Sequence, residues 1–335
     1  MTAVRLPRLI CSSVIRSVHQ GESHGGVYLV DLHAGTAERM IDWSDDAIDW
    51  EGRGGDRGLR GIAFHDDKVY LAASDEVFVY DRDLRQAGSF RNRYLKHCHE
   101  INVSGDRLYL ASTGYDSVLE YDLTAQTFSR AWMLRYGPSA KLVKRLGQAI
   151  ERRPRPRYRQ YDPTGDDGPG PADTTHINNV WPHEGAVYAC GTRLGTIWKI
   201  PLSEGSSARA SAFATVPYGT HNARPFRDGV LFNHTASDHI VYADRSGVTR
   251  ASFALPDYPR EELEHADLPG DLARPTFGRG LTVLDDAIVI GGSSPATVTA
   301  FDLETTDRLA SVTITMDVRN AVHGLEVWPF DGPVP

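Results

Sequence analysis

Residues 66–74 read DDKVYLAAS and residues 105–113 read GDRLYLAST. Each stretch is a turn signal followed by apolar residues at alternate positions, the period-two pattern of a β-strand. The pattern returns at 184–192, 227–235 and 284–292, and a second strand usually follows that ends on aspartate, as in VFVYD at 77–81. A repeat of this kind indicates stacked structural units rather than independent domains.

A shorter strand precedes each unit, and a fourth, outer strand follows it. The shorter strands read RGIAF (60–64), HEINV (99–103), HINNV (176–180), HNARP (221–225), RGLTV (279–283) and HGLEV (323–327). Four strands per unit, six times over, predict an all-β, six-bladed β-propeller that occupies residues 1–335 as one domain. HGLEV has no strands after it and the N-terminal CSSVIRSV has none before it, so we expect the two ends to complete one blade and leave no open edge there.

One interval between blade starts is much longer than the others. The starts at 99 and 176 are 77 residues apart, whereas the remaining intervals are 39 to 58 residues. We assign residues 132–175 to an insertion without further strand pairs, a basic helix (PSAKLVKRLGQAIERR) followed by a loop rich in Pro, Gly and Asp. The insertion is interpreted as a lid over the channel, a docking surface for a partner, or a solvated face.

The six inner strands begin with only two residue types. Because the first strand of each propeller blade lines the central channel, equivalent positions form a ring. Alignment on the apolar residues places six side chains at one height: Arg60, His99, His176, His221, Arg279 and His323. The sequence therefore predicts a cationic and imidazole-rich ring at the channel.

This ring suggests a metal beside an anion. Neutral imidazoles suit iron, zinc, copper and nickel, so the four histidines, His99, His176, His221 and His323, are predicted metal ligands. Arginine binds carboxylate and phosphate in bidentate fashion, so Arg60 and Arg279 are predicted to clamp an anionic substrate. Loops that join second and third strands reach the same face, and from them we assign Arg193, His234 and Tyr115 to substrate binding.

The ring, as a constellation of His99, His176, His221 and His323, resembles the four-histidine iron centre of carotenoid cleavage oxygenases. The resemblance implies a divalent metal ion, Fe(II) first, with Zn or Mn as alternatives. Six-bladed lactonase and strictosidine-synthase-like propellers resemble the chain in architecture, but their metal sites use carboxylates and asparagines. Seven-bladed pectate-type lyases with histidine-bound manganese resemble its mixture of histidine and arginine.

Three functional hypotheses follow. The first is a metal-dependent enzyme that acts on a small anionic metabolite at the channel mouth, either a lyase or isomerase or a non-heme iron oxygenase. The second is a non-enzymatic propeller that binds an anionic ligand or a protein partner. The third is a metal-free enzyme in which a ring histidine moves protons beside an arginine-bound carboxylate. The sequence assigns neither the catalytic groups nor the oligomeric state.

Composition excludes some partners. The formal net charge of −8 provides no overall basic field for nucleic acid. No stretch approaches the ~18 consecutive apolar residues of a membrane span, and the N-terminus lacks the apolar core of a signal peptide. The three cysteines have no CxxC spacing, and an odd number in unrelated contexts favours a reducing cytoplasm.

Overall fold

A computed structural model describes residues 6–18, 22–44, 58–137, 155–203, 209–270 and 273–330. In these residues, 25 strands form six antiparallel sheets arranged as a six-bladed β-propeller, which confirms the predicted fold. The only helical segments in the described ranges are two 3-10 turns, Thr113–Tyr115 and Arg260–Glu262. Accordingly, no helix in this part of the chain has the length and apolar character needed to cross a bilayer.

The strands follow one another along the chain blade by blade. Blade 1 takes β1 (Leu9–Ile15), β2 (Gly25–Asp31) and β3 (Thr36–Asp42), and blade 2 takes β4 (Ile62–His65), β5 (Lys68–Ala73), β6 (Glu76–Asp81) and β7 (Gln86–Arg91). Blade 3 takes β8 (Cys98–Ser104), β9 (Arg107–Ser112), β10 (Ser117–Asp122), β11 (Thr127–Arg135) and β12 (Arg157–Tyr161). Blade 4 takes β13 (Ile177–His183), β14 (Ala186–Gly191), β15 (Thr196–Pro201) and β16 (Ser211–Thr215). Blade 5 takes β17 (Thr220–Phe226), β18 (Gly229–His234), β19 (His239–Ala243) and β20 (Thr249–Ala254). Blade 6 takes β21 (Gly280–Leu284), β22 (Ile288–Ser293), β23 (Thr297–Asp302) and β24 (Arg308–Thr313), and β25 (Asn320–Val327) returns to blade 1.

The two ends of the chain close the ring, as predicted. Strand β25 pairs with β1 in antiparallel register, Leu325 opposite Cys11, and becomes the inner strand of blade 1. The Ser12 hydroxyl donates to the carbonyl of Arg60 at the start of blade 2 and accepts a hydrogen bond from the Gly324 amide at 2.9 Å. Closure therefore links both chain ends and the neighbouring blade through one buried serine.

Aspartates that end the third strands cap the turns that follow. The Asp122 carboxylate accepts hydrogen bonds from the Thr124 and Ala125 amides at 3.0 and 2.8 Å. Equivalent bonds are made by the aspartates at the corresponding place in four other blades, Asp31, Asp81, Asp244 and Asp302. These turns satisfy backbone donors that would otherwise lack partners, which explains the recurring aspartate in the sequence.

The apolar core lies between neighbouring blades. Six clusters of buried residues are present, each built from two adjacent blades, for example Trp132 of blade 3 with Ile200 of blade 4. Because each sheet buries both faces against its neighbours, the blades hold their inner strands at fixed angles around the axis.

The insertion between blades 3 and 4 differs from its predicted structure. Residues 132–135 belong to strand β11, and Arg157–Tyr161 pair with that strand as β12, a fifth, outermost strand of blade 3. The prediction that 132–175 holds no further strand was therefore wrong. The predicted basic helix falls on residues 138–154, which lie outside the described part of the chain.

Candidate functional site

Histidines from different blades meet where the inner strands begin. The ring centroid of His99 lies 5.3 Å from that of His176 and 5.4 Å from that of His323. His221 and Arg60 act electrostatically on the same imidazoles. Three of the four histidines are almost completely buried, and His176 is partly exposed.

His176 does not share the register of the other three histidines. Three inner-strand residues take equivalent places in their sheets: Ile101 opposite Leu110, Val180 opposite Ala189, and Leu325 opposite Cys11. Two positions before them stand His99, Asn178 and His323. The predicted single height was therefore wrong for His176, which precedes Asn178 by two residues and adopts a positive φ of 53° just before β13. It lies nearer the channel mouth, and Asn178 takes its place in the ring.

Each imidazole is held by its Nδ1 atom. His99 Nδ1 lies 2.8 Å from the His97 carbonyl and 2.8 Å from Thr113 Oγ1, and His221 Nδ1 lies 3.1 Å from the Gly219 carbonyl. Since a carbonyl can only accept, Nδ1 carries the proton in both rings and Nε2 keeps its lone pair in the neutral form. His323 differs, because its Nδ1 faces Oε1 of Glu100 at 3.2 Å and its buried Nε2 has no hydrogen-bond partner among the described residues.

Burial keeps these imidazoles neutral. It lowers the pKa of His99 well below the ordinary value, and the charges of Arg60 and His176 act in the same direction. Burial, reinforced by electrostatic interaction with His99 and Arg60, has the same effect on the pKa of His323. The pKa of His221 falls to about 3 for the same primary reason. At neutral pH the ring therefore offers uncharged nitrogen donors and acceptors.

Arg279 is the most unusual member of the ring. Its side chain is only 7 % exposed, its Nε atom is buried without a partner, and its guanidinium makes no hydrogen bond or ion pair within the described ranges. The guanidinium instead makes a cation–π contact with the Phe277 ring, whose centroid is 4.6 Å away. Two further guanidinium groups, of Arg16 and Arg274, lie 5.5 and 4.9 Å from the same ring, and the His221 ring lies 5.7 Å away.

Arg279 lacks an acidic partner among the described residues. Arg274 pairs with Asp238 at 2.6 Å, whereas no described acidic residue pairs with Arg279. Burial of a guanidinium without a counter-charge lowers the stability of the fold by roughly several kcal/mol, unless a bound anion supplies the missing charge. The predicted role of Arg279 in anion binding is thus consistent with its surroundings.

A second layer of ionisable residues lies next to the histidines, and the sequence pattern did not predict it. Its members are Glu100, Arg224 and Glu326. Burial, reinforced by the charge of Glu326, raises the pKa of Glu100 to about 8, and burial raises the pKa of Glu326 to about 7. The available signal in the sequence was an ionisable residue within each of three inner-strand segments, HEINV, HNARP and HGLEV.

Arg193 is linked to His176 at the channel mouth through an ion pair with Asp173. Its Nη1 lies 3.0 Å from Oδ1 of Asp173, whose other oxygen lies 2.9 Å from His176 Nδ1. Burial raises the pKa of Asp173, but the hydrogen bond from His176 and the Arg193 charge outweigh it and lower the pKa overall. Arg193 and His176 are thus connected through one carboxylate at the mouth of the channel.

Asp116 fixes the loop that carries His176. This fully buried carboxylate accepts hydrogen bonds from the amides and the hydroxyls of Thr174 and Thr175, at 2.6 to 3.1 Å. Arg135 Nε donates to it at 3.2 Å. Asp116, just before β10, and Arg135, at the end of β11, thereby position the residues at which blade 4 begins.

The other two predicted substrate residues lie apart from these contacts. Tyr115 packs edge-on against Tyr94, with ring centroids 5.5 Å apart, within the apolar cluster between blades 2 and 3. His234 ends β18 on blade 5, and its Nδ1 lies 2.8 Å from the Ser237 hydroxyl. His234 lies opposite Thr220, the residue before His221, but no hydrogen bond or ring contact joins His234 or Tyr115 to a ring histidine in the described ranges.

The arrangement does not fit a metal as it stands. Nitrogen ligands of one zinc or iron ion lie within about 4.2 Å of one another, because each bond is close to 2.1 Å. Among the described residues, the one group with three ligand atoms within 4.8 Å of each other is Glu264, His265 and Asp317, none of which is a ring histidine. There Arg319 holds both oxygens of Asp317. Metal binding by the four ring histidines stays a prediction that would require their side chains to turn.

Comparison with known proteins identifies the fold only. No family model and no curated protein sequence matches the chain. A protein of unknown function from Bacteroides caccae is similar in structure, with TM-score 0.55, 9 % identity, and coverage of 96 % of this chain and 98 % of that one. A chain of a nidogen/laminin complex is equally similar, with TM-score 0.55, 9 % identity, and coverage of 95 % and 97 %. The WD40 β-propeller domain of Doa1 matches at TM-score 0.43 and 12 % identity, over 76 % and 68 %.

Proposed function

We propose that the channel mouth binds a small metabolite with a carboxylate or phosphate group, and that ring imidazoles transfer protons to or from it without a metal. The observation that carries the proposal is Arg279, a guanidinium 7 % exposed that has no acidic or hydrogen-bonding partner among the described residues. A bound anion would supply the charge that the protein lacks there.

The imidazoles give the site its chemistry. Nε2 of His323 is buried without a described partner, and the Nδ1 protons of His99 and His221 are fixed on carbonyl groups. A bound anion raises the pKa of nearby imidazoles because it favours their charged form. Ligand binding should therefore be accompanied by proton uptake, after which a ring imidazolium acts as a general acid toward the ligand.

Calorimetric titration with malonate and with inorganic phosphate tests the binding step, and uncharged malonamide is the control. The Arg279→Gln variant should bind the anion at least about tenfold more weakly, since a hydrogen bond to a charged group contributes about 1.5–3 kcal/mol. Arg308→Gln, which changes an exposed arginine on β24 of the same blade, should leave the affinity unchanged. Failure of both anions to bind, or equal affinities for the two variants, would contradict the proposal.

Proton uptake is tested in the same instrument. Titrations at pH 6.5 in two buffers with different ionisation enthalpies should give different observed heats, and the anion should bind more weakly as the pH rises. A heat independent of the buffer would exclude the acid–base role but leave anion binding in place.

Two measurements separate the remaining hypotheses. Elemental analysis of protein purified without an affinity tag tests the metal, and a stoichiometric ion that is lost in a His99→Gln variant would overturn a metal-free mechanism. Incubation with a metabolite extract, compared with the Arg279→Gln variant by mass spectrometry, tests turnover. Absence of any consumed compound would favour a propeller that binds an anion without converting it.

A further inference from the structure

The outer rim of blades 3 and 4 carries a pocket that is separate from the channel. It has a volume of about 650 Å³ and is lined by Arg155, Arg159, Arg209, Tyr158 and Trp198, among others, without an aspartate or glutamate. The three arginines are exposed, and no described residue forms an ion pair with them. We call this the rim pocket.

The rim pocket adjoins a strand that is at the edge of its sheet among the described residues. Strand β12 pairs with β11 on one side and is the last strand of its five-stranded sheet. An edge strand presents alternate backbone N–H and C=O groups that can pair with another extended segment. Arg157 and Arg159 on this strand are both exposed, so this edge of the described sheet is basic.

The charge of the rim contrasts with that of the whole chain. The protein has a formal net charge of −8, yet Arg155, Arg159 and Arg209 line one pocket, and Arg157 lies on the same strand as Arg159. Natural edge strands often carry charges that prevent pairing with a second copy of the same strand. Arginines beside an edge strand repel another copy of that strand but attract an acidic segment.

We propose that the rim pocket and the edge of β12 bind an extended acidic peptide of a partner protein, which adds a strand to blade 3. Backbone hydrogen bonds to β12 would hold the peptide in register, and its carboxylates would face the arginines. An apolar side chain of the peptide would contact Trp198 and Tyr158, the aromatic residues of the pocket. This proposal does not depend on the channel site.

Fluorescence anisotropy with a labelled peptide of alternating glutamate and valine tests the proposal. The wild-type chain should bind this peptide. It should not bind a control peptide in which glutamine replaces each glutamate, or a second control in which alternate backbone amides are N-methylated. The double variant Arg155→Glu/Arg159→Glu should bind about tenfold more weakly, because two surface ion pairs are lost and the reversed charges repel the peptide. Arg308→Glu on β24 of blade 6 is the matched control and should change the affinity less than twofold.

Several outcomes would overturn the proposal. Equal binding of the N-methylated peptide would exclude strand addition, and equal binding of the glutamine peptide would exclude charge recognition. A third outcome combines two observations: inorganic triphosphate displaces the peptide, and the double variant and Arg308→Glu lose the same fraction of the peptide affinity. That outcome would indicate a general attraction of polyanions. The Arg279→Gln variant should keep full affinity for the peptide, and its loss would show that the peptide binds in the channel instead.

Discussion

Nδ1 of His323 lies 3.2 Å from Oε1 of Glu100, although the two residues are 223 positions apart in the chain. His323 belongs to the inner strand of blade 1 and Glu100 to that of blade 3. Burial raises the pKa of the carboxyl and lowers that of the imidazole, so both effects favour the uncharged pair with the proton on Glu100. In that form the carboxyl donates to Nδ1, and Nε2 of His323 carries a proton that can be donated to a bound anion.

The buried carboxyls should make stability depend on pH. The folded-state pKa is about 8 for Glu100 and about 7 for Glu326, whereas an unperturbed glutamate has a pKa of about 4.3. Because the folded chain holds these protons more tightly, the free energy of unfolding falls as the pH rises from about 4.5 to about 8. Glu100→Gln removes one titration, and we expect a smaller fall across this interval.

Urea unfolding at pH 5, 6.5 and 8 checks this expectation. The exposed Glu304→Gln change, in a turn of blade 6, should leave the pH profile of the wild type unaltered. The buried histidines act in the opposite sense, because their lowered pKa values remove stability as the pH falls below about 6.5. Glu100→Gln also changes the partner of His323, so the comparison between pH 6.5 and 8 isolates the carboxyl. Parallel profiles for wild type and Glu100→Gln would contradict the prediction.

The buried guanidinium of Arg279 should lower the stability of the protein when no anion is bound. Replacement of a buried charge by an apolar side chain of similar volume is often neutral or stabilising, by about 1–4 kcal/mol. We therefore expect Arg279→Leu to unfold at a higher temperature than the wild type in a buffer of low ionic strength, and to lose the stabilisation that malonate gives the wild type. Thermal denaturation with and without malonate measures both effects. A clear loss of stability in the absence of anions would mean that the contact with Phe277 holds the fold together.

Closure of the propeller should depend on the absence of a side chain at residue 324. A Cβ atom on Gly324 would overlap the Arg60 carbonyl and lie 2.7 Å from Ile62 Cγ1 and 2.8 Å from Ser12 Oγ. Overpacking of this kind costs about 1–3 kcal/mol when the neighbours can move, and more when they are backbone. Gly324→Ala should lower the free energy of unfolding by about 3 kcal/mol in denaturant titrations. Gly88→Ala, where nothing lies within 4 Å, should have almost no effect, and equal effects of the two changes would refute the argument.

Asp116 should control the loop before blade 4. Asparagine tolerates the left-handed conformation of this residue, with φ of 50°, but turns an amide donor toward the donors of Thr174 and Thr175. Asp116→Asn should therefore lower the free energy of unfolding by about 1–3 kcal/mol. Hydrogen exchange of the Thr174 and Thr175 amides should accelerate. Asp31→Asn, in a turn that asparagine caps equally well, is the control, and unchanged exchange in Asp116→Asn would show that other contacts hold the loop.

The inner ring was only partly predictable, and blade 4 shows why. A shift of two residues along a strand keeps every side chain on the same face, so the alternating pattern of HINNV could not distinguish His176 from Asn178. Only the ladder, with Val180 opposite Ala189, determines the register. Strand β12 escaped notice for a related reason, since its exposed arginines and edge position remove the apolar alternation that marks an inner strand.

The sequence by itself determined the six-fold repeat, the joining of both chain ends in one blade, and the histidines and arginines at the blade starts. Those features are local, because turn residues and strand period are written into consecutive positions. Tertiary structure alone decided that Glu100 meets His323, that Asp116 holds the loop before His176, and that Arg279 is buried beside Phe277 without a described acid. These relationships depend on the angle and depth at which different blades pack around one axis, and no single stretch of the chain encodes them.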